Sequence, residues 1–126
     1  MAERYFKRSL TVPMVRAAFK STKLMAISGA WFDDANDCGC PMYAYAVAHG
    51  LVRLDILPED ERADCAADAM NDLFGSYYVS GFVAGYDGFA VGAFWKPEEL
   101  DSEYKRGFKQ GRKVLKEFPP MDLSLV

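Results

Sequence analysis

The sequence predicts a mainly α fold: a compact bundle of four or five short helices, with one short strand pair as an optional addition, in a single globular domain over residues 1–126. Three observations carry this expectation. Apolar residues recur at helical spacing in several separate segments. Pro13, Pro41, Pro58 and Pro97 each stand where such a segment begins, the one place a helix tolerates proline. The composition, 51% hydrophobic and 26% charged over 126 residues, is that of a chain able to bury a core without disulfides or metal.

Taken in order, Thr11 is placed to cap a helix from Val12 to about Lys23, with Pro13 in its first turn. "MAISGAWF" suits either an extension of that helix or a short strand, and pattern alone does not decide. "DDANDCGC" reads as a polar turn-forming loop. Pro41 opens an apolar helix, "PMYAYAVAHG", that Gly50 can end. "LVRLDIL" alternates at Val52, Leu54 and Ile56 and suits a short strand.

Pro58 then starts a helix with Glu59, Asp60 and Glu61 in its first turn, where acids suit the positive end of the helix dipole. Its apolar stripe is Ala63, Ala66, Ala67, Met70, Leu73 and Phe74. Gly75 ends it and Ser76 is placed to cap the next helix, which stops at Asp87-Gly88. "FAVGAFW" is apolar and undecided. Pro97 opens the last long helix, to about Phe118, before Pro119 and Pro120 stop it.

One pattern appears twice. "YVSGFVAG" and "YKRGFKQG" both fit Tyr-x-x-Gly-Phe-x-x-Gly, so Tyr78, Gly81, Phe82 and Gly85 correspond to Tyr104, Gly107, Phe108 and Gly111. At about 100° per residue, Leu100, Tyr104, Phe108, Gly111, Leu115 and Phe118 share one face. Glycine in a helix interior costs about 1 kcal/mol relative to alanine. Four of them imply a compensating gain, and the close approach of two helix backbones supplies it. These eight residues are therefore expected to be a helix-packing device, acting within one chain or across a homodimer.

"RGFKQGRK" and "SGFVAGYDG" resemble the Gly-Tyr/Phe-x-x-Gly segment of ribosome modulation factor, a short helical protein that silences ribosomes. The resemblance covers some ten residues per copy and implies contact with ribosomal RNA. "GCPMYAYAVAHG" together with "GFVAGYDG" also resembles small uncharacterised proteins of bacteria and phages. That resemblance implies no activity.

Charge is segregated along the chain. Residues 1–32 carry six bases and one acid, residues 33–103 three bases and fifteen acids, and residues 104–126 six bases and two acids. Asp60, Asp64, Asp68 and Asp72 fall four apart and form an acidic ridge, about 6 Å between members. Lys105, Lys109, Arg112 and Lys116 form a basic ridge on the last helix, with Arg106 and Lys113 beside it. Either ridge suits partner binding. The acidic one can imitate a nucleic-acid backbone, and the basic one can hold RNA, DNA or an acidic protein face. The opposing expectation is that the two ridges pair with each other or that both are simply solvated surface.

Catalytic signatures are absent from the sequence: no P-loop, no dinucleotide fingerprint, no serine-centred elbow. Cys38, Cys40, His49 and Cys65 contain the atoms for zinc, but their spacing does not fit a site. "DDANDCG" fails as a calcium loop, with Cys38 at the fifth position and Tyr45 at the closing one. Cys40, beside Pro41 at a helix start, is the one candidate nucleophile. The helix end should lower its pKa, and His49 would be its base. With three cysteines and no apolar run of about 20 residues, the reading is a cytoplasmic protein with reduced thiols, no membrane span and no cofactor.

The expected function is thus a small non-enzymatic regulator or inhibitor, with phages as one source, that docks onto a protein partner such as a nucleic-acid-handling complex through an acidic mimic surface. The alternatives are a ribosome- or RNA-binding factor that uses the basic ridge, and a cysteine or metal enzyme centred on Cys40.

Overall fold

The computed structural model describes residues 8–28, 31–33, 37–52, 57–88 and 102–120, with Glu59 and Asp60 described by backbone alone. Among these residues the chain forms five α-helices and one small sheet: α1 (Val12–Thr22), β1 (Met25–Ala26), β2 (Phe32–Asp33), β3 (Cys38–Gly39), α2 (Pro41–Ala48), α3 (Glu59–Phe74), α4 (Ser76–Asp87) and α5 (Ser102–Glu117). The mainly α class is as the periodicity predicts. No described helix is long and apolar enough to cross a membrane.

Helix α1 starts at Pro13 in its first turn and ends where Lys23, at φ 61°, returns its N–H to the Phe19 carbonyl. Thr11 stands at the cap position but makes no side-chain cap bond. Of "MAISGAWF", Met25–Ala26 and Phe32 are strand: β1 pairs parallel with β3, Met25 opposite Cys38, and β2 pairs antiparallel with β3, Phe32 opposite Gly39. The expected loop "DDANDCGC" therefore donates the central strand. Pairing partners thirteen residues apart in sequence, not local propensity, make it so. The strand expected at "LVRLDIL" falls largely on residues 53–56, and "FAVGAFW" and the expected start of the last helix fall on residues 89–101. Both lie outside the described residues.

Helix α2 is apolar all round and accordingly central. Pro41, Met42, Tyr43, Ala44 and Ala46 are all buried, and it packs against α1 on one side and α3 on the other. Burial of a side chain the size of Met42 contributes about 1.5–3 kcal/mol. Gly75, at φ 90°, ends α3 and begins α4 in a single residue. Ser76 is therefore the first residue of α4 and not its cap, because the one-residue turn leaves no separate cap position. One apolar core runs from Leu10 through α1, α2, α3 and α4 to Val114 of α5. Within it the rings of Tyr45, Phe74, Tyr78 and Phe82 follow one another at centroid spacings of 5.7, 5.8 and 6.2 Å.

The repeated motif brings the backbones of α4 and α5 into direct contact, and it does so within one chain. A methyl at Gly81 would fall on the Tyr104 carbonyl and 3.0 Å from the Phe108 amide nitrogen. One at Gly107 would fall on the Tyr78 carbonyl and 2.9 Å from the Phe82 nitrogen. Gly85 meets the Phe108 carbonyl and Gly111 the Phe82 carbonyl in the same way. Contacts advance together along both helices, so α4 and α5 run parallel. They are also reciprocal: each motif tyrosine or phenylalanine carbonyl receives the glycine of the other copy. The two copies, 26 residues apart, are thus related by an approximate two-fold rotation. Glycine Cα–H groups aimed at carbonyl oxygens add weak hydrogen bonds of about 0.5–1 kcal/mol each.

The buried face of α5 is Tyr104, Gly107, Gly111 and Val114. Phe108 and Leu115 sit half-buried at its margin, rotated from the centre that periodicity assigned them. The reason is that the glycines, not the aromatics, mark the line of closest approach. Phe108 instead carries the Arg112 guanidinium 5.1 Å above its ring.

Candidate functional site

The acidic and basic ridges occupy separate helices. On α3, Ala66, Met70 and Phe74 are buried while Asp64, Asp68 and Asp72 are exposed on the far side. The side chain of Asp60 lies outside the described residues. On α5, Lys105, Lys109, Arg112, Lys113 and Lys116 are exposed, opposite the face that meets α4. Helix α3 packs on α2 and α4, whereas α5 packs on α4 and α1. Among the described residues no ion pair joins Asp64, Asp68 or Asp72 to a base of α5; the ion pairs present are Arg16–Glu117 at 3.5 Å and Arg106–Glu103 at 2.7 Å. The described members of the two ridges do not neutralise each other.

Two features of the basic surface have no sequence signal. The first is that α1 joins it. Arg16 bonds Glu117 and lies 5.7 Å over the Phe118 ring, and Phe19 packs on Phe118 at 5.6 Å. This brings exposed Arg16 and Lys20 beside the C-terminal half of α5. The second is that Arg106 is half-buried and folds back over α4. Its guanidinium lies 4.4 Å over the Tyr78 ring, pairs with both Glu103 oxygens at 2.7 and 3.2 Å, bonds Ser9 Oγ, and donates to the Arg8 carbonyl at 2.8 Å. Tyr78 Oη in turn accepts from the Leu10 amide at 2.8 Å. Burial, ahead of these bonds, raises the Tyr78 pKa. Arg106 is thus a clamp that fastens residues 8–10 across α4 and α5.

Cys40 caps α2, its Sγ accepting from the Tyr43 amide at 3.4 Å. It lines a cavity of about 210 Å³ with Trp31, Pro41, Met42, Phe82, Val83, Tyr86 and Asp87. The expectation of a lowered pKa is overturned. Burial pushes the thiol up to about 12, outweighing the backbone hydrogen bonds that favour thiolate. His49 is exposed at the other end of α2, about 13 Å away by helical rise, and stacks on Tyr45 at 4.1 Å. The pair is not assembled. Cys38 is buried, its pKa raised by burial and by Asp33 and Asp37, while Cys65 donates to the Leu51 carbonyl at 3.5 Å. The described residues hold no cluster of three or more His, Cys, Asp or Glu side chains that suits a metal ion.

Comparison with known proteins finds no protein-family model that matches the chain, no similar curated protein and no similar solved structure.

Proposed function

We propose that this chain is a small non-enzymatic interaction protein, a regulator or inhibitor, that docks onto a protein partner through the acidic face of α3. The observation that carries the reading is that Asp64, Asp68 and Asp72 stay exposed and unpaired with the bases of α5. Members four residues apart stand about 6 Å apart along the helix, a spacing that lets carboxylates stand in for phosphates in a basic groove. The core supports it: α2 and the glycine-packed α4–α5 pair form a scaffold that holds α3 in place. The separation of buried Cys40 from His49, about 13 Å by helical rise, supports this reading over a cysteine enzyme.

The experiment is capture of partners by tagged protein from host lysate, with and without nuclease, read by mass spectrometry. The expected result is one protein complex retained after nuclease and lost with the double reversal Asp64→Lys/Asp68→Lys. Retention of that complex by the double variant sinks the acidic-face reading.

A second reading is RNA binding by the basic surface, favoured by the position of Arg16 and Lys20 beside α5 and by the resemblance of the repeated motif to ribosome modulation factor. It expects RNA affinity that falls steeply with salt and weakens in Lys109→Ala/Arg112→Ala. RNA that fails to bind at low salt ends it.

A further inference from the structure

The exposed faces of two helices are opposite in charge and equal in length. On α3 every exposed side chain among the described residues is an acid: Glu61, Asp64, Asp68 and Asp72. On α5 the exposed side chains apart from Ser102 and Glu117 are bases: Lys105, Lys109, Arg112, Lys113 and Lys116. The acids of that helix are held locally, Glu117 by Arg16 and half-buried Glu103 by Arg106, so they do not offset its outer face.

The two rows match in spacing as well as in sign. Glu61 to Asp72 and Lys105 to Lys116 both cover a rise of about 16 Å, in steps of three or four residues. Laid side by side in either direction, Glu61, Asp64, Asp68 and Asp72 fall within one residue, about 1.5 Å along the axis, of Lys105, Lys109, Arg112 and Lys116.

A single chain does not join them. Helix α4 packs on both α3 and α5, and the glycine contacts fix α5 to it backbone against backbone. Among the described residues no ion pair crosses from α3 to α5. A second copy of the chain, however, carries the matching row. Isolated surface ion pairs contribute little, but complementary rows that meet together steer encounter and set register. At a net charge of −3 two copies repel each other only weakly.

We infer that the chain self-associates by laying the basic row of α5 from one copy along the acidic row of α3 from another. Each copy offers both rows, so the contact either closes reciprocally in a two-fold pair or repeats head to tail. The inference goes beyond docking to an outside partner and does not depend on it, although a second copy and that partner would compete for Asp64 and Asp68.

The test is sedimentation velocity of the purified, nuclease-treated full chain over a range of protein concentration, at about 20 mM and about 500 mM salt, where the screening length drops from about 20 Å to about 4 Å. The expected result is association at low salt, with an apparent dissociation constant at least about tenfold weaker at high salt. Asp64→Lys/Asp68→Lys and Lys109→Glu/Arg112→Glu, all at exposed positions, should each be monomeric at low salt. Mixed in equal amounts the two variants should associate again, because the reversed pair of one meets the reversed pair of the other. Circular dichroism checks that both fold; if either does not, the salt dependence of the parent chain carries the test. A parent chain that stays monomeric at low salt, association that survives about 500 mM salt, association retained by either folded variant, or a mixture of folded variants that stays monomeric overturns the inference. So does association seen only before nuclease treatment, which would assign the basic row to nucleic acid. Partner capture reads out separately: Lys109→Glu/Arg112→Glu keeps the acidic face of α3 and should still retain the protein complex expected of it.

Discussion

Replacing Gly107 by alanine sets two effects of opposite sign against each other. In a helix free of neighbours the change stabilises by about 1 kcal/mol. Here the new methyl would lie on the Tyr78 carbonyl, 2.9 Å from its carbon and from the Phe82 nitrogen, all of it backbone that no rotamer change can move aside. The helices must part by about 1 Å, which forfeits a quarter to a half of each dispersion contact along the interface. It also breaks the three other glycine–carbonyl contacts, about 0.5–1 kcal/mol each. Overpacking of this kind costs about 1–3 kcal/mol, and the lost contacts add to it, so Gly107→Ala should destabilise by about 2–4 kcal/mol net of the propensity gain. Urea unfolding followed by far-ultraviolet circular dichroism reads it as a lower midpoint at unchanged slope. Lys109→Ala, on the outer face, should stay within about 0.5 kcal/mol of the parent. Once the helices have separated, a second methyl meets little, so Gly81→Ala/Gly107→Ala should fall short of the sum of its parts by at least about 1 kcal/mol. A Gly107→Ala protein as stable as the parent, or more so, would refute the packing argument.

Two further outcomes follow from the clamp and the buried thiol. Arg106→Ala should lower stability by about 1–3 kcal/mol, as it removes the stack on Tyr78 and the bonds to Glu103, Ser9 and Arg8. Arg106→Lys should recover only part, because an ammonium cannot hold that fork, and urea midpoints at constant salt would show the order. The Cys40 pKa is raised on folding from an ordinary 9.0 to about 12, so the folded state favours the neutral thiol. Its contribution is whole below about pH 9 and is lost as pH climbs toward 12, with Tyr78 and Tyr86, also raised by burial, acting in the same direction from about pH 10. The urea midpoint should therefore fall steadily above pH 9, with a shallower fall in Cys40→Ala; a flat profile to pH 11 would contradict the assigned cause.

What the sequence determined by itself is local. The 3.6-residue periodicity located α1 to α5, with Pro13, Pro41 and Pro58 marking the starts of α1 to α3 and Gly75 and Gly88 the ends of α3 and α4, because each rests on the backbone's own geometry. The repeated Tyr-x-x-Gly-Phe-x-x-Gly announced a close helix contact for the same reason: four glycines in helical register are costly unless something approaches them. The exposed acids of α3 were legible too, since a spacing of four fixes a face whatever the neighbours are. The tertiary structure alone decided the rest. It made the contact intramolecular, parallel and reciprocal. It drew a turn-like segment into the centre of a sheet, turned Arg106 inward as a clamp and set Arg16 and Lys20 beside α5. It also reversed the chemistry of Cys40. Each of these depends on which distant residues arrive as neighbours: the helix end acting on Cys40 can be read from its position in the chain, but the burial that outweighs it exists only in the folded chain, which brings Trp31, Phe82, Val83 and Tyr86 to the same cavity.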